Sequence, residues 1–194
     1  MGRFSKEQYK SGQHALTQDQ VKKLLLSFTN LQEKCLIALA ISTGLRRDDL
    51  VSVKTNDYIQ KDGTITYYEK KKKRTRTMYI PSDETIQLLN MHLNTCRKSM
   101  WLFPSPNKTG KTSEGHVSSR HVYDILNEHL DLIGIPRRPF HAMRATCYKL
   151  AQKRGWTPRM AAELLGDSMR VAEEHYDAPG VEEMKEEAKN KPLF

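Results

Sequence analysis

A mainly α domain with a small antiparallel β-sheet, an α+β fold, is predicted by three observations. Apolar residues recur at helical spacing through most of the chain. Two short runs rich in Thr, Tyr and Ile, residues 64–68 and 75–80, are joined by the basic stretch EKKKKR, as in a hairpin. Breakers (STG, GIPRRP, GWTP, GDS) cut the helical stretches into short pieces. A chain of 194 residues supports one such domain, since proteins of this size bury roughly 70% of their unfolded surface.

Taken in order, residues 1–14 read as an N-terminal arm or linker. Thr17 and Gln20 form a capping box, and Val21, Leu24, Leu25 and Phe28 then recur on one face of a first helix. Leu31 to Ile41 is apolar nearly all round, as a central buried helix is, and STG at 42–44 stops it. RRDDLVSVKTND predicts another short helix before the hairpin, which ends at Pro81. A helix is predicted over 83–97, with Ile86, Leu89 and Leu93 inward, and a loop over 101–115, rich in Gly, Pro, Ser and Lys. Four helices follow, near 118–132, 141–154, 158–165 and 170–176. In the tail, 180–194, Val181, Met184 and Ala188 are spaced for a weakly amphipathic helix.

The net charge of +9 points to a polyanionic partner, because Lys and Arg gain affinity by releasing counterions condensed on phosphates. No apolar run approaches the roughly 20 residues of a membrane helix, and no secretory h-region opens the chain. Three unpatterned cysteines, Cys35, Cys96 and Cys147, argue against a disulfide framework. A cytoplasmic protein is the expectation. Phosphate-loop, serine-hydrolase, HExxH and paired CxxC motifs are absent. His121, Asp124 and His129 share one predicted helix but read as a solvated face, so neither a metal nor a cofactor is expected.

Positive evidence begins with FHAMRATCYKLAQKRG. Three residues apart on a helix, His141 and Arg144 share a side, while Met143, Cys147 and Leu150 point toward an apolar one. The guanidinium fork suits the non-bridging oxygens of a phosphate, and imidazole moves protons near neutral pH. Adding Arg46 makes the pattern specific. TGLRRDDL, the lysine-bearing hairpin ending in YIP, HAMR, LLGDS and HYDAP, in that order, resemble the catalytic domain of tyrosine recombinases, the phage-type integrase family. The resemblance covers residues 15–179.

That resemblance implies the recombinase catalytic-domain fold and a set of roles. Arg46 and Arg144 become the phosphate clamp, a hairpin lysine the general acid, His141 the proton-transfer partner and Tyr176 the nucleophile. Asp49 stands where the family usually has Glu and would orient or neutralise the region around Arg46. The chemistry accounts for these residue types. A tyrosine hydroxyl, with a pKa of about 10, needs a proton acceptor and a positive field to attack. Arginine forks bind a phosphorane-like transition state better than the ground state. The 5′-oxygen leaving group needs a proton, which a lysine among other cations can deliver. The covalent 3′-phosphotyrosyl link implied by the family keeps the bond energy for rejoining.

The acid's identity is open. Counting back from Pro81 favours Lys73, with Lys71 on the same face by strand alternation, whereas counting forward from Gly63 favours Lys70. Lys72, Arg74, Arg76, Arg137 and Arg138 are expected to contact DNA phosphates. His175 is either a neighbour in the turn or a phosphate contact. After LLG the family usually has a second histidine; here Asp167 either points away, pairs with an arginine or lowers activity. The short N-terminal segment fits an excised domain or a small standalone member. The expected partners are duplex DNA and further copies of the chain, as a dimer or tetramer on DNA, with no membrane. Isolated, it could be monomeric. The tail docks either on a neighbouring protomer or on its own domain. Two rival readings are a type IB topoisomerase and a DNA-binding regulator that has kept the fold without turnover.

Overall fold

The computed structural model describes residues 11–95, 99–105 and 115–192. Most of the expected arm, Cys96 and Arg97 of the fourth predicted helix, 106–114 of the predicted loop and the last two residues of the tail lie outside them.

Helix α1 (Gln18–Ser27) starts at the Thr17 capping box, with both of its hydrogen bonds formed. Helix α2 (Leu31–Thr43) is capped by the Asn30 side chain and buries every residue from Cys35 to Ile41. It runs two residues past its expected end, because Gly44 at φ 62 provides the left-handed cap. A Cβ there would meet Leu165 Cδ2 and stand 3.3 Å from Cys147 Cβ, so the stop is also a close approach. Arg46 stands at the N-cap position of α3 (Arg47–Val51), a single turn, without a side-chain capping bond.

The sheet has three strands in the order β1-β2-β3, all antiparallel: β1 (Tyr58–Ile59), β2 (Thr64–Glu69) and β3 (Arg74–Tyr79). Two residues are too few for β1 to show a period. Ile65, Tyr67 and Glu69 of β2 form its buried face. Helix α4 (Asp83–Thr95) packs on α2.

In the second half α5 (Ser119–Leu132), α6 (Ala142–Lys153), α7 (Pro158–Leu165), α8 (Met169–Tyr176) and α9 (Val181–Asn190) follow within a few residues of expectation. Helix α6 is the pivot. Ala142 and Met143 belong to the main core, which runs through α1, α2, the sheet, α4 and α5. Ala145, Cys147 and Tyr148 belong to a second cluster with Ala161, Ala162, Leu165, Ala172 and Tyr176. Every residue from Ala142 to Lys149 is buried, the side that carries Arg144 included.

Residues 11–14, at the end of the expected arm, form a 3-10 turn (Ser11–His14) against α6 and α8. Gly12 lies so close to the backbone carbonyls of Tyr176 and Ala178 that a Cβ would collide with both. No helix among the described residues is long and apolar enough to cross a membrane.

Candidate active site

Tyr176 is the last residue of α8, and it is buried, with 1% of its surface exposed. The Tyr148 and His141 rings flank it, with centroids 5.7 and 5.8 Å away. Its hydroxyl accepts from Arg144 Nε at 3.1 Å, donates to Asp167 Oδ2 at 2.9 Å and stands 3.5 Å from His141 Nε2.

Arg144 projects from the first turn of α6 into a fully polar socket. Its Nη1 donates to Gly44 O and its Nη2 to Leu165 O at 2.5 Å, so the C-terminal caps of α2 and α7 hold the guanidinium. Nη2 also reaches Asp167 Oδ2 at 2.7 Å. Backbone carbonyls at helix ends are partly negative and otherwise unpaired, which is why this buried cation is tolerated. Arg46 approaches from the opposite side. It donates to Glu69 Oε1 at 2.5 Å and to Asp167 Oδ1 at 3.1 Å.

Asp167 thus does what the second expected alternative describes, and does it twice, pairing with both arginines. Its side chain is 5% exposed. Desolvation alone would raise its pKa, but the Arg144 charge and hydrogen bond, the Tyr176 hydrogen bond and the Arg46 charge outweigh it. The carboxyl is held well below the usual range.

The hairpin separates the lysines. Its turn is Lys70–Lys73, since Glu69 pairs with Arg74. Lys73, the favoured acid, is exposed and occupies the left-handed region at φ 50, where the chain reverses. The lysine that reaches the site is Lys72, expected only to contact DNA. Its Nζ donates to Gly166 O and lies 3.4 Å from Asp167 Oδ1 and 3.8 Å from Glu69 Oε1. Counting residues along a strand fails here because the lysines lie in the turn, where alternation stops. Lys70 Nζ turns away to Asp48 O, and Lys71 is exposed.

Asp49 interacts with the Arg46 charge and also fastens the hairpin. Its Oδ1 accepts from Lys70 N at 3.2 Å, fastening α3 to the hairpin, and burial pushes its carboxyl pKa up. Glu69 is the residue that neutralises Arg46, and it also binds Arg74 at 3.0 Å. Sequence reasoning missed it, although a signal existed: Glu69 continues the alternation of Ile65 and Tyr67 into the buried face. Arg76 is structural in its contacts, donating to Tyr67 Oη and to Glu163 O and covering Gly166. Arg137 pairs with Asp131 at 2.8 Å and Arg138 is tied through its backbone to Asn127. His175 lies beside Tyr176 with ring centroids 6.5 Å apart.

Two further titrations shape the site. Tyr176 is raised to about 12, first by desolvation and then by Asp167, against the lowering charge of Arg144. His141 falls to about 4 through desolvation, reinforced by the Arg144 and Arg46 charges. One flank of His141 faces solvent. At neutral pH the imidazole is uncharged and can accept a proton. Among the described residues no group of three His, Cys, Asp or Glu could hold a metal. His129 instead bonds Ser27 and stacks on Phe28, His121 faces Glu33, and Asp124 pairs with Arg120.

Residues 14–178 match the model of the phage integrase family. Among named relatives, the tyrosine recombinase XerA of Pyrococcus furiosus is 26% identical over 174 residues, covering 89% of this chain and 59% of the relative. A XerC-like tyrosine recombinase of Caldanaerobacter subterraneus is 27% identical over 181 residues, covering 77% and 46%. The chain therefore spans about half to three fifths of these relatives. Among solved structures, a XerA recombinase superposes with a TM-score of 0.72 at 17% identity, covering 93% of this chain and 66% of that one. A lambda integrase dimer bound to a COC′ core site gives 0.69 at 20%, covering 84% and 47%. At these identities the superpositions establish the fold, a tyrosine recombinase catalytic domain.

Proposed function

Because the chain belongs to the phage integrase family, we propose that it cleaves and rejoins DNA strands as a site-specific recombinase. The observation that carries this reading is the convergence of Tyr176, Arg144, Arg46 and Lys72 on one small volume, now filled by the Asp167 carboxylate. Residues 15–179 are the catalytic unit, with 180–194 as its tail.

In the proposed reaction the Tyr176 oxygen attacks a backbone phosphorus, forming a phosphotyrosyl bond as the bond to the 5′-oxygen breaks. The phenolic proton passes to His141, which is neutral at pH 7. Arg46 and Arg144 hold the two non-bridging oxygens and bind the charge that gathers on them. Losing one such donor typically costs about 3–4 kcal/mol of transition-state stabilisation. Lys72 protonates the departing 5′-oxygen. Reversal by a 5′-hydroxyl from a second duplex rejoins the strand without a cofactor.

The partners are duplex DNA and further copies of the chain, because each exchange between two duplexes needs two nucleophiles. Structural neighbours solved with DNA include a XerH site-specific recombinase in a post-cleavage complex with a palindromic difH substrate, which supports the duplex as partner. The compartment is the cytoplasm, at the nucleoid or in a phage-infected host. The test is a suicide duplex, nicked beside the cognate site, followed by a denaturing gel. A covalent adduct that disappears in Tyr176→Phe supports the reading. DNA binding without any adduct would leave a regulator on the same fold, and sequence-independent relaxation of supercoils a topoisomerase.

A further inference from the structure

Arg144 has four polar contacts, and two of them are committed to the backbone carbonyls of Gly44 and Leu165. The others go to Tyr176 and Asp167. On the far side, Arg46 and Lys72 both face Oδ1 of the same carboxylate. Asp167 therefore presents two oxygens carrying one negative charge, one to each arginine, as the two non-bridging oxygens of a phosphodiester would. A phosphate cannot enter this clamp while that carboxylate is in it, on grounds of both volume and charge.

The geometry points to Asp167 as an internal ligand of the phosphate clamp, an intramolecular competitor that a tetrahedral oxyanion must displace before Tyr176 can react. This deepens the strand-cleavage reading and, for its DNA outcome, rests on it.

Displacement needs only the side chain to turn. The backbone on either side is fixed: Gly166 N donates to Glu163 O, Asp167 N to Ala162 O, and the next residue, Ser168, caps α8 through Val171 N. Gly166, at φ 69, is covered by the Arg76 guanidinium, and its carbonyl accepts from Lys72. Rotation about the Asp167 Cα–Cβ bond would leave all of these in place. It would withdraw the carboxylate from both arginines and the lysine together and release the Tyr176 hydroxyl from its acceptor, while Arg46 and Lys72 keep Glu69 and Arg144 keeps its two carbonyls. Protonation is not a route out near neutral pH, since the arginines keep the carboxyl ionised. In the occupied state the clamp is satisfied without substrate, and Asp167 balances the charge of the buried Arg144.

The competition lowers apparent affinity by the fraction of molecules in which the clamp is vacant. The test uses inorganic phosphate as probe, with Asp167→Asn and Asp167→His, in thermal melts across a phosphate titration. Both variants are expected to bind phosphate about tenfold or more tightly than the unmodified chain. Their melting temperature should be depressed without phosphate and recover as it is added, far more than that of the unmodified chain. A merely structural aspartate would lower the melting temperature with no such recovery. Adding Arg46→Ala to Asp167→Asn should abolish the gain. If one variant does not fold with or without phosphate, the other decides. Equal or weaker phosphate binding in a folded variant overturns the proposal. Suicide-substrate cleavage separates it from the reading on which it rests. Tighter phosphate binding with no adduct from any protein upholds the internal ligand and sinks strand cleavage. Faster adduct formation by Asp167→Asn upholds both.

Discussion

Tyr176 is held as a protonated phenol in the state described, and its neighbours explain why. Desolvation and the Asp167 carboxylate raise it to about 12, while only Arg144 draws it down. Substrate phosphate in place of Asp167 would remove the acceptor that holds its proton and leave His141 as the remaining one. Tyr176→Phe is expected to abolish the covalent adduct on a suicide duplex while retaining DNA binding. It should also cost about 1–2 kcal/mol in urea unfolding, for the lost hydrogen bonds of one buried hydroxyl. His141 makes a second prediction. Its pKa is about 4 when folded and about 6.5 when unfolded, so between those values the unfolded chain binds more protons. Stability should be fully present above about pH 6.5 and fall as pH drops toward 4. His92 and His14, also lowered by burial, act with the same sign. Melts at pH 7 and pH 5 should differ less for His141→Gln than for the unmodified chain; an unchanged difference would refute the shift.

At the scale of elements, the hairpin and the α7–α8 junction build half of the site. The β2–β3 turn places one lysine inward and one at its left-handed corner, and these should separate cleanly in function. Lys72→Ala is expected to slow adduct formation about 10²-fold or more, the usual contribution of a general acid. A substrate whose 5′ leaving group is a thiolate needs no proton and should restore the rate. Lys73→Gly should leave the rate unchanged and be neutral to mildly stabilising, since glycine adopts φ 50 without strain. The reverse pattern would return the acid to Lys73. At the other junction, the Gly166 turn and the Ser168 cap set Asp167 at the mouth of the clamp. A left-handed residue followed one residue later by a helix N-cap leaves little freedom in the backbone between them.

For the whole molecule, α9 folds back on its own domain. Lys149 Nζ binds Glu183 and Ala178 O, and Lys153 pairs with Glu186 at 2.8 Å. Met184 and Val181 are half-exposed or more, so little apolar surface holds the helix there. Truncation after Gly180 should therefore leave a folded protein, with a loss of no more than about 2 kcal/mol, measured by urea unfolding, because partly exposed ion pairs contribute about 1 kcal/mol or less. A collapse on truncation would mean that α9 belongs to the core. Most of this architecture was legible in the sequence. The Thr17 capping box, the all-apolar α2 and the glycine stops appear in the structure as read, since each depends on residues close in the chain. The two-residue β1 and the 3-10 turn under Tyr176 were not legible, because neither is long enough to show a period.

The sequence by itself determined the order of elements, the family, and the placing of Arg46, His141, Arg144 and Tyr176 at helix ends. Local spacing and breakers suffice for that. Only the tertiary structure decided that Lys72 and not Lys73 faces the site, that Glu69 neutralises Arg46, and that Asp167 fills the clamp. These are charge pairings through space. The partners Arg46 and Asp167 are 121 residues apart in the chain, and no periodicity reports which buried cation a distant carboxylate will meet.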